Sequence, residues 1–190
     1  MSPEVVRKRG RLDGILRQMG SVLVAYSCGV DSTYLAVVAS HTLGEKALAV
    51  TAVSPAVPAS EVKGAVNLAE QWNIRHRLIY TREMDDPNYV ANGPRRCYYC
   101  KTELYSKLLP IAQAEGLRWV ANGANCDDLG DYRPGLDAAR EHGVRSPLVE
   151  AELSKSEIRS LSQEMGLPTW DKPALACLSS RFPYGTPIMM

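Results

Sequence analysis

Apolar positions along the chain recur with two alternating periods. Val5, Val6, Leu12, Ile15, Leu16 and Met19 follow near-helical spacing, and Gly20 comes next, where a C-terminal glycine belongs. Residues 21–26 are a short apolar run of the kind found in buried parallel strands. A tight polar turn and the helix-like stretch 31–43 follow, closed by Gly44. The alternation continues with strand over 46–53, helix over 59–72, strand over 76–80, helix over 97–115 and strand over 118–121. Later, Ser154 and Glu157 form a capping-box signature for a helix to about Met165, stopped by Gly166. Strands alternating with helices predict an α/β fold: a doubly wound parallel sheet with helices on both faces.

Two stretches break this rhythm. Residues 84–96 and 124–133 are polar and rich in Asp, Asn, Gly and Pro, as loops at the carboxyl ends of strands are, and those ends are where open α/β sheets bind ligands. The last stretch, 172–190, carries three prolines and little periodicity, so one domain over 1–171 followed by a coil is expected.

Length and charge narrow the function. At 190 residues the chain suits one hydrophobic core, and 22 Lys and Arg against 21 Asp and Glu give no general pull toward nucleic acid or membrane. The N-terminus has no apolar leader and the longest apolar runs are far too short for a bilayer, so a cytoplasmic protein is expected. Five cysteines, Cys28, Cys97, Cys100, Cys126 and Cys177, are an odd number without an export signal, which favours reduced thiols with chemical roles over a disulfide framework.

After the first strand comes Ser27-Cys28-Gly29-Val30-Asp31-Ser32-Thr33. Glycine permits inward-pointing N–H groups, the hydroxyls of Ser27, Ser32 and Thr33 can donate to phosphate oxygens, and a helix begins with its positive end facing the same place. Asp31 would repel a phosphate unless a cation stood between them, which assigns it to Mg²⁺; an acidic helix cap is the plainer alternative. The string resembles SGGxDS, the PP-loop of the N-type ATP pyrophosphatases, among them NAD, GMP and asparagine synthetases and several tRNA-thiolating enzymes. That resemblance implies an adenine nucleotide alpha hydrolase-like fold, ATP bound through Ser27, Gly29, Val30, Asp31, Ser32 and Thr33, and cleavage between the α- and β-phosphates. The Lys of a Walker loop is missing. Cys28 stands where the family has Gly, which points to negative φ there or to an altered loop.

Arg96-Cys97-Tyr98-Tyr99-Cys100-Lys101 sets two thiols at a helix start beside two cations, and all three influences lower a thiol pKa. On residues alone, this CxxC could be a redox pair, half of a zinc site, part of an iron–sulfur site, or two inert buried cysteines. Zinc needs two further ligands, and His41, His76 and His142 lack the spacing. Asp127 and Asp128 follow a strand and offer a second Mg²⁺ contact or a turn. Arg133, Arg145 and Arg181 suit the phosphate or carboxylates of a mononucleotide, unless they are surface ion-pair partners. Arg96 and Lys101 could serve the same pocket, and Tyr98 or Tyr99 could stack on a ring.

The strings Gly123–Asp128, Asp131–Gly135, 143–151 and 172–185, together with the loop, resemble the LarE family as far as the end of the chain. That resemblance implies an ATP-dependent sulfur transferase. It would adenylate a carboxylate of pyridinium-3,5-biscarboxylic acid mononucleotide and replace oxygen with sulfur, toward the nickel-pincer nucleotide. It makes Cys177 the sulfur-bearing residue, in one of two ways. Cys177 gives up its own sulfur and becomes dehydroalanine, or Cys97, Cys100 and Cys177 hold a [4Fe–4S] cluster whose fourth iron carries exchangeable sulfide. Sacrificial members need only the cysteine near the C-terminus, so the additional CxxC favours the cluster. Cys126 stays outside as a small buried thiol.

Members of this family continue past the region ending at Met190, with residues that bind substrate and build oligomers. The coil is accordingly expected to open a further C-terminal region, and a homo-oligomer is implied. A tRNA thiolase is the enzyme alternative, disfavoured by the near-neutral charge. An adenine-nucleotide module without chemistry is kept open by Cys28; pyrophosphate release would tell them apart.

Overall fold

The computed structural model describes residues 2–189. Helix α1 (Pro3–Met19) starts under the Ser2 hydroxyl, which accepts from the Val5 N–H, and ends at Gly20 with φ of 73°. It feeds strand β1 (Val22–Ala25), then α2 (Val30–Leu43), β2 (Ala47–Val53), α3 (Ala59–Gln71) and β3 (His76–Tyr80). After β3 the chain makes a single helical turn, α4 (Pro87–Val90), and the long α5 (Arg96–Ala114), and returns as β4 (Trp119–Ala121). Helix α6 (Pro134–Glu141), the turn α7 (Pro147–Glu150) and α8 (Lys155–Glu164) complete the regular structure.

All four strands are parallel, in the order β3-β2-β1-β4. Val22 of β1 sits opposite both Ala47 and Trp119. Their alternation sorts the core into two halves. Val22, Val24, Ala47 and Ala49 face a layer with Leu12 and Leu16 of α1, Leu35 of α2, Leu68 of α3 and Ile158 of α8. Leu23, Leu48 and Val50 face the other side, with Tyr105 and Leu108 of α5 and Ala138 of α6. The doubly wound parallel sheet expected from the sequence is therefore the observed fold, and burial on both faces explains why β1 and β2 read as continuous apolar runs, whereas the edge strand β3 exposes Leu78 and Tyr80.

The polar segments carry more structure than expected. Residues 84–96 contain α4, capped by Asp86, whose carboxylate accepts from the Asn88 N–H at 2.8 Å. Within 124–133, Cys126–Gly130 form a 3-10 turn under an Asn125/Asp128 capping box. α6 and α7, absent from the sequence reading, both begin at a proline. The expected capping box of α8 is present, Ser154 and Glu157 exchanging bonds of 3.3 and 2.8 Å. Among the described residues no helix is long and apolar enough to cross a membrane.

Because β1 lies between β2 and β4, the chain crosses to opposite faces on its two sides, and a crevice opens above β1. Its width is set at Gly123, just after β4. A Cβ there would lie 2.9 Å from Ser32 N and 3.0 Å from Ser32 Cα. Gly123→Ala is expected to cost about 1–3 kcal/mol through backbone displacement, read as a lower midpoint in urea denaturation; an unchanged midpoint would contradict the close approach.

Candidate active site

Between β1 and α2 the backbone is turned by Cys28, which has φ of 59°. The sequence offered negative φ or an altered loop, and the structure corrects the first: Cys28 keeps the left-handed turn of a glycine. For a residue with a Cβ this costs about 1–2 kcal/mol. Gly29 then caps α2 in extended conformation. The Ser32 hydroxyl accepts from the Ser27 N–H at 3.2 Å and lies 3.0 Å from the Ser27 hydroxyl, so the loop folds over the first turn of the helix. Asp31 belongs to that turn and is not its cap.

Lys155, at the start of α8, reaches across the crevice to Asp31, Nζ to Oδ2 at 2.5 Å. The other Asp31 oxygen, Oδ1, is buried and has no hydrogen-bond partner among the described residues. A buried carboxylate oxygen without a partner is costly, and a cation arriving with a nucleotide would satisfy it, so Asp31 fits the expected Mg²⁺. Asp128 has less to give. Its Oδ2 accepts from the Asn125 N–H at 3.0 Å, and its Oδ1 pairs with Arg133 at 2.9 Å. Asp127 accepts from the Lys155 N–H at 3.0 Å and so fixes the start of α8.

The thiols lie on the same carboxyl-end rim of the sheet. Cys97 and Cys100 are in the first turns of α5, and the coil brings Cys177 toward them. Dense hydrogen bonding fastens this coil. The Asn92 amide donates to the carbonyls of Phe182, Pro183 and Thr186 at 3.3, 2.9 and 2.9 Å. Arg96 is buried and donates to Asn92 Oδ1 at 2.7 Å and to the Ser179 carbonyl at 2.9 Å. Tyr89 and Ser179 hydroxyls meet at 2.6 Å, and the Leu178 N–H donates to the Ala56 carbonyl at 2.9 Å. Arg96, read as a substrate cation, thus anchors the coil instead.

Burial pushes the Cys100 thiol up to about 11; the neighbouring Lys101 opposes that rise, while Glu83, Cys177 and Cys97 add to it. This corrects the expectation of a lowered pKa at that position: the cations and the helix end are present, but desolvation outweighs them. For the Lys101 ammonium, burial acts downward, and Tyr105, Cys100, Cys97 and Cys177 together hold it above its ordinary value. Cys97 and Cys177 both act on Cys100 and on Lys101, which marks one electrostatic neighbourhood. Cys97 and Cys177 are exposed and Cys100 is half-buried. Among the described residues no three His, Cys, Asp or Glu side chains yet converge as a metal-holding group. In donor type alone the set suits an iron–sulfur cluster: three sulfurs from two segments.

The remaining candidates disperse. Arg145 forms a two-pronged pair with Glu150, Nε to Oε1 at 3.1 Å, and lies over the Trp119 ring. Arg133 pairs with Asp128 and Asp131, while Arg181 is exposed in the coil. Tyr98 is held by Glu141 of α6 at 2.5 Å and by Arg95 over its ring. Cys126 packs near the Val149 carbonyl, away from the other thiols. Sequence reading missed Lys155, Lys172 and Asn92. Asn92 carried a signal, an Asn-Gly-Pro run suited to its φ of 53°; the two lysines are brought in by chain topology alone.

No family model matches the chain. It is 53% identical over 171 residues, 90% of its length, to an uncharacterised protein of Synechocystis. It is 39% identical over 180 residues, 94% of its length, to the pyridinium-3,5-bisthiocarboxylic acid mononucleotide synthase of Lactiplantibacillus plantarum. The chain spans 64% and 65% of the length of these two relatives. Among solved structures, an NH3-dependent NAD synthetase from Campylobacter jejuni aligns with TM-score 0.66 and 16% identity, over 89% of this chain and 76% of that one. An NMN synthetase from Francisella tularensis aligns with TM-score 0.68 and 22% identity, over 92% and 76%. At these identities the likeness is one of fold.

The raised Cys100 pKa predicts its reactivity. Alkylation of the reduced protein by iodoacetamide, read residue by residue by mass spectrometry, is expected to be slow at Cys100 at pH 8, where about a thousandth of such a thiol is ionised. The rate should climb about tenfold per pH unit toward pH 11; levelling off below about pH 9.5 would contradict the burial.

Proposed function

We propose, for a chain that belongs to the LarE family within the PP-loop ATP pyrophosphatases, an ATP-dependent sulfur transfer onto a carboxylate of a pyridinium mononucleotide, toward a nickel-pincer nucleotide. The observation that supports this reading is the influence that Cys97 and Cys177, from two separate segments, both exert on Cys100 and Lys101 in the first turns of α5.

The loop's free N–H groups and the start of α2 receive the phosphates of ATP. Asp31, whose Oδ1 has no partner among the described residues, would hold Mg²⁺, and Lys155, already at Asp31, would meet the charge of the pyrophosphate. A substrate carboxylate oxygen attacks the α-phosphorus, the α–β bridging bond breaks and pyrophosphate leaves. Held in the crevice, the reactants gain from orientation, and the fixed N–H dipoles stabilise the developing charge. Sulfur then replaces AMP at the activated carbon, giving a thiocarboxylate. A [4Fe–4S] cluster on Cys97, Cys100 and Cys177 would supply one iron without a protein ligand, able to carry sulfide. Lys101 opposes the rise that burial imposes on the Cys100 thiol, and the coil fastened by Asn92 and Arg96 carries Cys177. The homo-oligomer and the substrate contacts of Arg181 belong to the same proposal.

A second reading is favoured by the exposure of Cys177. Its thiolate attacks the acyl-adenylate and expels AMP; elimination then breaks its own Cβ–S bond, leaving thiocarboxylate and dehydroalanine.

Iron and acid-labile sulfide on protein purified without oxygen, native against Cys97→Ala/Cys100→Ala, separate the two. About four irons per chain, lost in the variant, are expected. No iron in either protein, with Cys177 losing the elements of hydrogen sulfide after turnover, would establish the sacrificial route. Absence of MgATP-dependent pyrophosphate release with the dicarboxylate substrate would sink both.

A further inference from the structure

Lys172 opens the coil that leads to Cys177, and its ammonium points back at the phosphate loop. Nζ donates to the Cys28 carbonyl at 2.9 Å and to Glu61 Oε2 of α3 at 2.7 Å. Its own backbone is held too, because Arg159 of α8 donates to the carbonyls of Trp170 and Lys172 at 2.7 and 2.9 Å. The lysine is therefore fixed at both ends.

A trans peptide carries its C=O and N–H on opposite sides. Holding the Cys28 carbonyl outward necessarily turns the Gly29 N–H the other way, and among the described residues that N–H has no protein acceptor. Cys28, with its positive φ, has a steric reason to leave this conformation that a glycine would lack. Helix α3 supplies the compensation. Glu61 and Gly64 are three residues apart on one face; Glu61 holds the ammonium, and a Cβ at Gly64 would lie 3.7 Å from Cys28 Sγ.

We propose that Lys172 is a positioning residue: its ammonium locks the Cys28–Gly29 peptide with the Gly29 N–H turned into the phosphate cradle. Through Lys172 the nucleotide-binding loop and the Cys177-bearing coil share one anchor, a coupling that rests on the nucleotide and sulfur-transfer reading above.

The test is MgATP binding by titration calorimetry on the native chain, Lys172→Met and Lys172→Arg, with thermal denaturation of each. Lys172→Met is expected to bind MgATP about ten- to hundredfold more weakly, the range for losing a charge-assisted bond, while melting near the native temperature. Lys172→Arg should recover most of the affinity, which a merely structural loss would not produce. Iodoacetamide labelling of Cys177 with and without MgATP reads the coupling: MgATP should change the rate in the native chain and leave it unchanged in Lys172→Met. Should Lys172→Met fail to fold, Glu61→Gln, which loosens the same ammonium, must weaken MgATP binding in the same direction. Native affinity in Lys172→Met, or in Glu61→Gln where that variant is needed, overturns the proposal and leaves the nucleotide reading standing. A native chain that does not bind MgATP overturns both.

Discussion

Two backbones touch where Gly123 passes the first turn of α2, and the site is built outward from that approach. It brings the exit of β4 against Ser32, which closes the floor of the crevice and directs the following segment, with Asp127, toward α8. Asp127 then fixes Lys155, and Lys155 meets Asp31. Every link is short and most use a backbone group, so the phosphate loop is braced from the side opposite its own strand. Preorganised donors of this kind need no rearrangement when charge develops.

A second brace comes from the polar loop after β3. Tyr89, Asn92 and Arg96 have little in common as residue types, yet all three reach the coil. Burying a guanidinium is unfavourable unless its donors are met, and Arg96 meets a side-chain amide and a carbonyl. The CxxC begins one residue later. The arrangement that fastens the coil is thus the same one that sets the thiols of α5, and it explains how segments about eighty residues apart come to share one electrostatic neighbourhood.

The sheet was legible because β1 and β2 are buried on both faces and preceded by Gly20 and Gly44, so local pattern and global fold agree. The phosphate loop was legible because its chemistry is local: seven consecutive residues carry the turn, the hydroxyls and the carboxylate. Partners supplied by topology were not legible. Lys155 reads as one more lysine in a capped helix, and Lys172 as the start of a coil. Cys100 shows the limit most clearly: its neighbours in sequence argue for a thiolate, and only packing reveals the desolvation that outweighs them. Arg145 resembled a ligand fork until Glu150, five residues on, took both its prongs.

Beside the side chains of Lys172 and Ser179, the coil is held through its main chain: the carbonyls of Ser179, Phe182, Pro183 and Thr186, and the N–H groups of Leu178, Gly185 and Ile188. The main-chain part of this fastening is indifferent to the side chains at the coil's exposed positions. Leu175, Arg181 and Tyr184, all exposed, can be exchanged over evolutionary time without loosening the thiol between them. The segment is thereby a surface whose side chains can change while the place of Cys177 relative to the phosphate loop stays put.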